Sequence, residues 1–248
     1  MWWLISLAVV AALLGTSPGA WAEAENRDAP AKRALPHQTD CPVKLPADFW
    51  DAEGAEEFRA SEEWAWKQIC VGEWADMRHA PGGEGSSETC KPAEIEEAGD
   101  TVPDHRRLRP DFLELILSHQ KWVLALRSPL VGIKCALIDA NVYLASYQIQ
   151  PSLIFHDGKI DGEIDLLGTN FSRTLSLIGS TVTGLLNADR MEVGGSLVLR
   201  GGGTFAAIDL LSAKIGGDMS LTGSTVTGLL NADGMEVGGN LFLRGGGT

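Results

Sequence analysis

From residue 138 onward the apolar residues of this chain recur every eleven positions. One column runs Ile138, Ile149, Ile160, Phe171, Val182, Val193, Thr204, Ile215, Val226, Val237 and Thr248, and nine of its eleven members are apolar. Two more columns, four and six residues after each start, are apolar throughout; Leu186 with Ala188 and Leu197 with Leu199 are examples. The four/six pair is the alternation of a strand, whose successive side chains point to opposite faces. An eleven-residue period also suits a right-handed helical supercoil. Against that, glycine fills the column two after the start at Gly184, Gly195, Gly217, Gly228 and Gly239, and each glycine inside a helix costs about 1 kcal/mol relative to alanine. Strands are therefore predicted. A weaker unit at 127–137 has Val131 and Ile133 in phase.

A larger period lies on top. Residues 179–189 recur unchanged at 223–233, a shift of 44 or four units, so the array grew by duplication of a block. Eleven extended residues reach at most roughly 36 Å, too short a perimeter to enclose Leu, Ile and Phe side chains. Two units, about 22 residues, enclose a core. The prediction is a mainly β chain, a parallel β-solenoid of 11-residue units with about 22 residues per coil. Its coils stack so that like residues lie above like, and one coil alone cannot bury its apolar face.

Ser180, Thr181, Val182, Thr183 and Gly184, and again Ala213, Lys214, Ile215, Gly216 and Gly217, read small, polar, apolar, any, Gly. Each run is followed by a six-residue strand unit. The chain thus resembles the pentapeptide-repeat class of right-handed parallel β-helices, with a 5+6 alternation in place of a uniform five. The segments at 63–69 and 106–117 look like those that precede such repeats in a group of uncharacterised exported bacterial proteins. The resemblance spans residues 60–248. It implies the fold, an exported bacterial origin and envelope association, and it brings no activity with it.

Ahead of the repeats the pattern changes. Residues 4–14 are apolar except for Ser6, and Ala20, Trp21 and Ala22 follow a Gly- and Pro-containing stretch. That is the layout of a signal peptide over residues 1–22, with an apolar core too short to span a bilayer. Its start lacks Lys or Arg, so an uncleaved membrane anchor is the alternative. Residues 23–47 read as a polar linker. Residues 48–126 read as an acidic, helical head that caps the solenoid of 127–248. One helix is expected over 48–77, with Trp64, Ile69 and Trp74 near helical spacing and Trp66 widening the face. Pro110 opens a second over 110–126, with Leu113, Ile116, Leu117 and Leu124 as its stripe. Between them, 79–104 reads as a Gly- and acid-rich loop.

Charge is unevenly placed. Residues 23–126 hold 22 Asp and Glu against 12 Lys and Arg, whereas 127–248 hold 11 against 8. A net charge of −13 repels phosphate backbones, which argues against nucleic acid as a partner. In an exported protein, Cys41, Cys70 and Cys90 in the head and Cys135 at the first coil are disulfide candidates. Four cysteines allow three pairings. Cys41–Cys70 is preferred, and Cys70–Cys90 is an alternative that would tie down the acidic loop.

No catalytic, metal or cofactor constellation emerges. The five His (37, 79, 105, 119, 156) share no ligand spacing. Asn187 with Asp189 and Asn231 with Asp233 repeat about two coils apart on one outer face. They are candidates for a cation or sugar contact, against the plainer role of closing turns. The paired Thr181/Thr183 and Thr225/Thr227 hydroxyls are too sparse for an ice-binding array. The sequence therefore predicts an exported, non-catalytic structural or interaction module with an unknown protein or glycan partner. Its alternatives are a carbohydrate-active β-helix enzyme and an envelope-anchored surface protein. Residues 245–248 match 201–204, where the first copy runs on. The last coil is thus expected either to dock end to end or to belong to a longer array, the second being favoured.

Overall fold

The computed structural model describes residues 40–83, 90, 91, 94 and 102–244. The expected signal peptide, residues 23–39 of the linker, most of the acidic loop and residues 245–248 lie outside the described residues. Gln38–Thr248 form one compact unit, in which head and coils share a single apolar core.

The repeats fold into about five parallel coils, each residue pairing with one 22 further on, as in Leu153↔Leu175↔Leu197↔Met219↔Leu241. Each coil carries four strand segments in three sheets. In the second coil these are Lys159–Ile160 and Ile164–Asp165 in one sheet, Asn170–Phe171 in another and Leu175–Ser176 in the third. In the next two coils the first two segments merge into the continuous strands Thr181–Asn187 and Thr204–Asp209. The three inward columns of the second coil (Ile160, Ile164, Leu166, Phe171, Leu175 and Leu177) are all 4% exposed or less. Val131 and Ile133 of the weak first unit are fully buried as well.

One member of the first column is misplaced by the eleven-residue count. Thr204 faces outward and half-buried, and Phe205, 0% exposed, takes the inward place. Phe205 pairs with Val182 on one side and Val226 on the other, and the register is restored at Ile208 because both neighbours carry one residue more over this stretch, as 182–185 does against 205–207. An aromatic side chain gains roughly 1.5–3 kcal/mol by full burial, whereas a buried Thr would need a partner for its hydroxyl. The turn at Gly201 and Gly202, with φ of 87° and 82°, accommodates the extra residue because glycine alone adopts such angles without strain.

Two further inward columns, not singled out by the repeat, lie at corners half a coil apart. Ser180 belongs to one, and Thr169, Met191 and Ala213, each 22 residues after the last, form the other; all four are fully buried. The Ser180 hydroxyl donates to Phe155 O and accepts from Gly158 N–H; Ser224 repeats both bonds with Leu199 O and Gly203 N–H. Small hydroxyl residues thus satisfy backbone groups that the corner takes out of the ladder. Three residues past the Met191 and Ala213 column, Gly194, Gly216 and Gly238 stack so closely that a Cβ would lie 2.6, 2.7 and 2.5 Å from a carbonyl oxygen of the coil below. In the first two coils this column and the next one, that of Gly195, Gly217 and Gly239, carry Gln150 with Pro151 and Ser172 with Arg173 instead.

The head is less regular than the single helix expected over 48–77. Short 3-10 turns at Ala47–Trp50 and Ala55–Phe58 lead into α1 (Arg59–Cys70). Gly54 and Gly72, at φ of 77° and 90°, interrupt the chain on either side. Trp66 and Ile69 are the buried stripe, whereas Trp74 lies beyond the helix and is 40% exposed. The second expected helix is also divided, into α2 (Pro110–Ser118) and α3 (Gln120–Val123), with His119 extended between them. The Ser118 hydroxyl donates back to Glu114 O at 2.6 Å, a bond that bends helices. Glu62, fully buried on α1, receives the Arg109 guanidinium at 2.7 Å and the Arg109 backbone N–H at 2.8 Å. That clasp holds α1 to the start of α2. α2 packs against Val142–Tyr143 and Gln148–Ile149 of the first coil.

Two head segments extend the sheets themselves. β1 (Ala75–Asp76) pairs in parallel with β2 (Leu130–Lys134), which pairs in turn with the first complete coil. Arg107 bridges to Leu137 in the same sense. Disulfides join Cys41 to Cys70 and Cys90 to Cys135. The Cys70–Cys90 alternative is excluded, and Cys135, in the turn directly after β2, completes the set of Cys41, Cys70 and Cys90. The second bond ties the loop between α1 and α2 to the first coil.

Two predictions follow from this architecture. Leu197→Asp places an unpaired carboxylate among fully buried side chains and should cost more than about 4 kcal/mol, abolishing the cooperative melt followed by circular dichroism. Ser196→Asn should melt as the parent does. In the column Thr174, Ser196, Asp218, Asn240 the first three side chains accept the backbone N–H of the residue in the next coil at 2.7–3.4 Å, and Asn240 shows that the position takes that side chain. Equal melts for both variants would refute the register. Replacing Cys90 and Cys135 by Ala removes a link across 45 residues. It should lower the urea-unfolding free energy by about 4 kcal/mol, and an unchanged midpoint would show that the bond does not form.

Candidate functional site

Asn187 and Asn231 end two strands of the eight-stranded sheet, and Asp189 and Asp233 lie in the turns that follow. Asn187 and Asn231 occupy one column with Asp165 and Asp209, 22 residues apart in the order Asp165, Asn187, Asp209, Asn231. Asn187 Nδ2 donates to Asp165 Oδ1, and Asn231 Nδ2 to Asp209 Oδ1, both at 3.0 Å. The Oδ1 of each residue in the column also accepts the backbone N–H two residues on, at 3.0–3.4 Å. These are the turn-closing bonds that Asn and Asp make best. Asn187 therefore acts as a neutral spacer between two carboxylates, and the amide groups of both asparagines are already used.

Asp189 and Asp233 lie in the adjacent column, separated there by Leu211, and Asp189 is paired with Arg190 at 3.2 Å. The four candidate residues share a wall, but they do not converge on a point where one ligand could touch them together. Thr183 belongs to the same kind of ladder: its hydroxyl donates to Asp161 Oδ1 at 2.8 Å. That bond, aided by Lys159, holds the Asp161 carboxyl below its ordinary range. Thr181, Thr204 and Thr225 stack in register on the outside, a column missed because Thr204 was counted as inward.

The histidines are dispersed. His37 lies outside the described residues. His156 Nδ1 is 3.0 Å from Asp157 and its ring meets Trp74 edge-on at 6.4 Å. Burial, with the nearby Arg106 charge, pushes His105 down. Among the described residues, no group of three His, Cys, Asp or Glu side chains is arranged to hold a metal ion.

Two of the clefts among the described residues lie at or beside the head. The larger of these, about 660 Å³, lies on the head between Val43, Leu45, Trp50 and Trp66. Its arginine, Arg59, is held by Glu56 and Glu63 at 3.2 and 3.0 Å. The second, about 420 Å³, lies where the chain leaves α3 and enters the coils, against the corner that carries Gln150, Pro151, Ser172 and Arg173. Val123, Leu126, Arg127 and Pro129 complete it. Its residues escaped the sequence reading because they come from 50 positions of chain and belong to no motif. The available signal was a gap: Gln-Pro and Ser-Arg stand where later coils have Gly-Gly.

The ladder generates a test. Asn187→Ala removes two hydrogen bonds, to Asp165 and from the Asp189 N–H, and should cost about 1–2 kcal/mol. Asn187→Asp keeps the turn bond but sets a carboxylate between Asp165 and Asp209, and should cost about 1 kcal/mol more than the Ala variant at neutral pH and low salt. Urea unfolding in which the Asp variant matches or exceeds the Ala variant would show that the column is not packed this way. No family model matches the chain, and neither the curated proteins nor the solved structures contain a match.

Proposed function

We propose that this chain is an exported, non-catalytic interaction module of the pentapeptide-repeat-like kind, which uses its coil surface to bind a protein or glycan partner. The observation that carries the reading is the constancy of the coil. Pairing stays at 22 residues from the first complete coil to the last, with a single one-residue bulge and no inserted loop. Catalytic and ligand-gripping residues gather on loops that a rigid scaffold displays. Here the scaffold is rigid and the corners stay short.

Other features agree. Many wall carboxylates are bonded to neighbouring coils rather than gathered into a reactive pair, as with Asp165, Asp209 and Asp218. The two disulfides suit an oxidising, extracytoplasmic compartment. A net charge of −13 disfavours nucleic acid.

A glycan-array screen of the full chain, followed by a reducing-end release assay on every binder, tests the reading. Retention of a glycan without release is the expected result. Release of new reducing ends would replace the binding module with a carbohydrate-active enzyme.

A further inference from the structure

We infer that the cleft between α3 and the first two coils is a binding site for the carboxylates of an acidic oligosaccharide. The inference rests on the interaction-module reading and names its ligand class.

The chain is strongly acidic, yet no carboxylate lines this cleft, and two arginines, Arg127 and Arg173, border it together. Both side chains are exposed. Neither makes an ion pair with a carboxylate among the described residues, in contrast to Arg59, Arg107 and Arg109. Two uncompensated guanidinium groups in one concavity form a local positive field within a negative molecule. Guanidinium is the group that grips carboxylates with two parallel hydrogen bonds.

The rest of the lining is suited to a sugar ring. Leu126 and Pro129 present apolar surface on which C–H faces can lie, with the buried Pro151 behind them, and Gln150 and Ser172 offer donors and acceptors for hydroxyls. The volume, about 420 Å³, falls in the range of small-molecule pockets. The walls are held before any ligand arrives. Arg127 N–H donates to Cys70 O, beside the Cys41–Cys70 disulfide, and Ser152 N–H donates to Pro129 O at 2.9 Å. Preorganisation of this kind lowers the entropic cost of binding.

An acidic peptide is the less suitable ligand. Peptides that dock on β structure take main-chain hydrogen bonds from an open edge. Here the N–H groups of Arg127, Ser152 and Ser172 are all bonded within the protein, and Pro129 and Pro151 have none to give. Recognition must come from side chains and apolar walls.

The test is calorimetric titration of the full chain with oligogalacturonate, its fully methyl-esterified form and oligoglutamate of similar charge. Oligogalacturonate should bind, with an affinity that falls as salt rises. Replacing both Arg127 and Arg173 by Gln should weaken it at least ten-fold. Arg200→Gln, which removes an exposed arginine away from the cleft, should leave it within two-fold, and all variants should keep the parent melting temperature. The esterified sugar and oligoglutamate should not bind. No binding of oligogalacturonate, or equal binding by the double variant, overturns the site. Equal binding of the ester overturns the role of charge, and equal binding of oligoglutamate makes the cleft a peptide site. Capture of neutral glycans alone on the array would leave the interaction-module reading standing while this inference fails. Release of reducing ends would remove that reading instead.

Discussion

Backbone pairing at an offset of 22 residues is the constraint on which the rest of this molecule depends. A coil of that length brings each inward side chain above its counterpart, so apolar columns become continuous and no coil need bury its own face alone. The same offset sets outward residues in ladders. Asp165 meets Asn187 and Asp209 meets Asn231 because they are 22 apart, and like charges would otherwise stand about 4.8 Å apart along the stack. The close glycine corner is a further consequence: the coils approach so nearly there that Gly194, Gly216 and Gly238 leave no space for a Cβ.

The fold was largely legible because a repeat states its own register. The inward columns follow from spacing, strand character from spacing with the glycine content, and coil length from the perimeter that a core of Leu, Ile and Phe needs. Spacing failed where two placements compete within one residue of each other. Thr204 keeps the count of eleven, but Phe205 has the greater apolar area, and the core takes the phenyl ring. The head was less legible because nothing in it repeats. Its helices are cut by Gly54, Gly72 and the Ser118 back-bond, each a local event that a broad apolar pattern smooths over. The Cys90–Cys135 bond joins positions 45 residues apart, and only the three-dimensional path brings them together. The candidate wall residues were placed on one outer face, and Asn187 and Asn231 close turns there, the plainer of the two roles the sequence offered. The cleft at Arg127 and Arg173 depends on chain segments far apart in sequence, so no motif could announce it.

Head and solenoid are joined as parts of one structure. The buried Glu62–Arg109 pair fixes α1 to α2, α2 lies on the first coil, and Tyr147 of that coil donates its hydroxyl to Glu114 of α2 at 2.5 Å. A buried ion pair of this kind contributes little net stability when intact but is costly to break on one side. The junction is therefore firm, and the cleft beside it inherits that firmness. A binding site built at this seam is positioned by both parts of the chain.

The displaced Phe205 has a consequence for how the array finds its order. Residues 179–189 and 223–233 are identical, and such copies invite a chain to stack in the wrong sequence, with one repeat accepted in another's berth. The intervening coil is different. Its first sheet meets one neighbour at an offset of 23 residues and the other at 21 before both return to 22. A coil docked one place out of order would meet a bulge without its complement, leaving either the phenyl ring in water or a rung unpaired. The irregularity thus serves as an address mark in an otherwise self-similar stack.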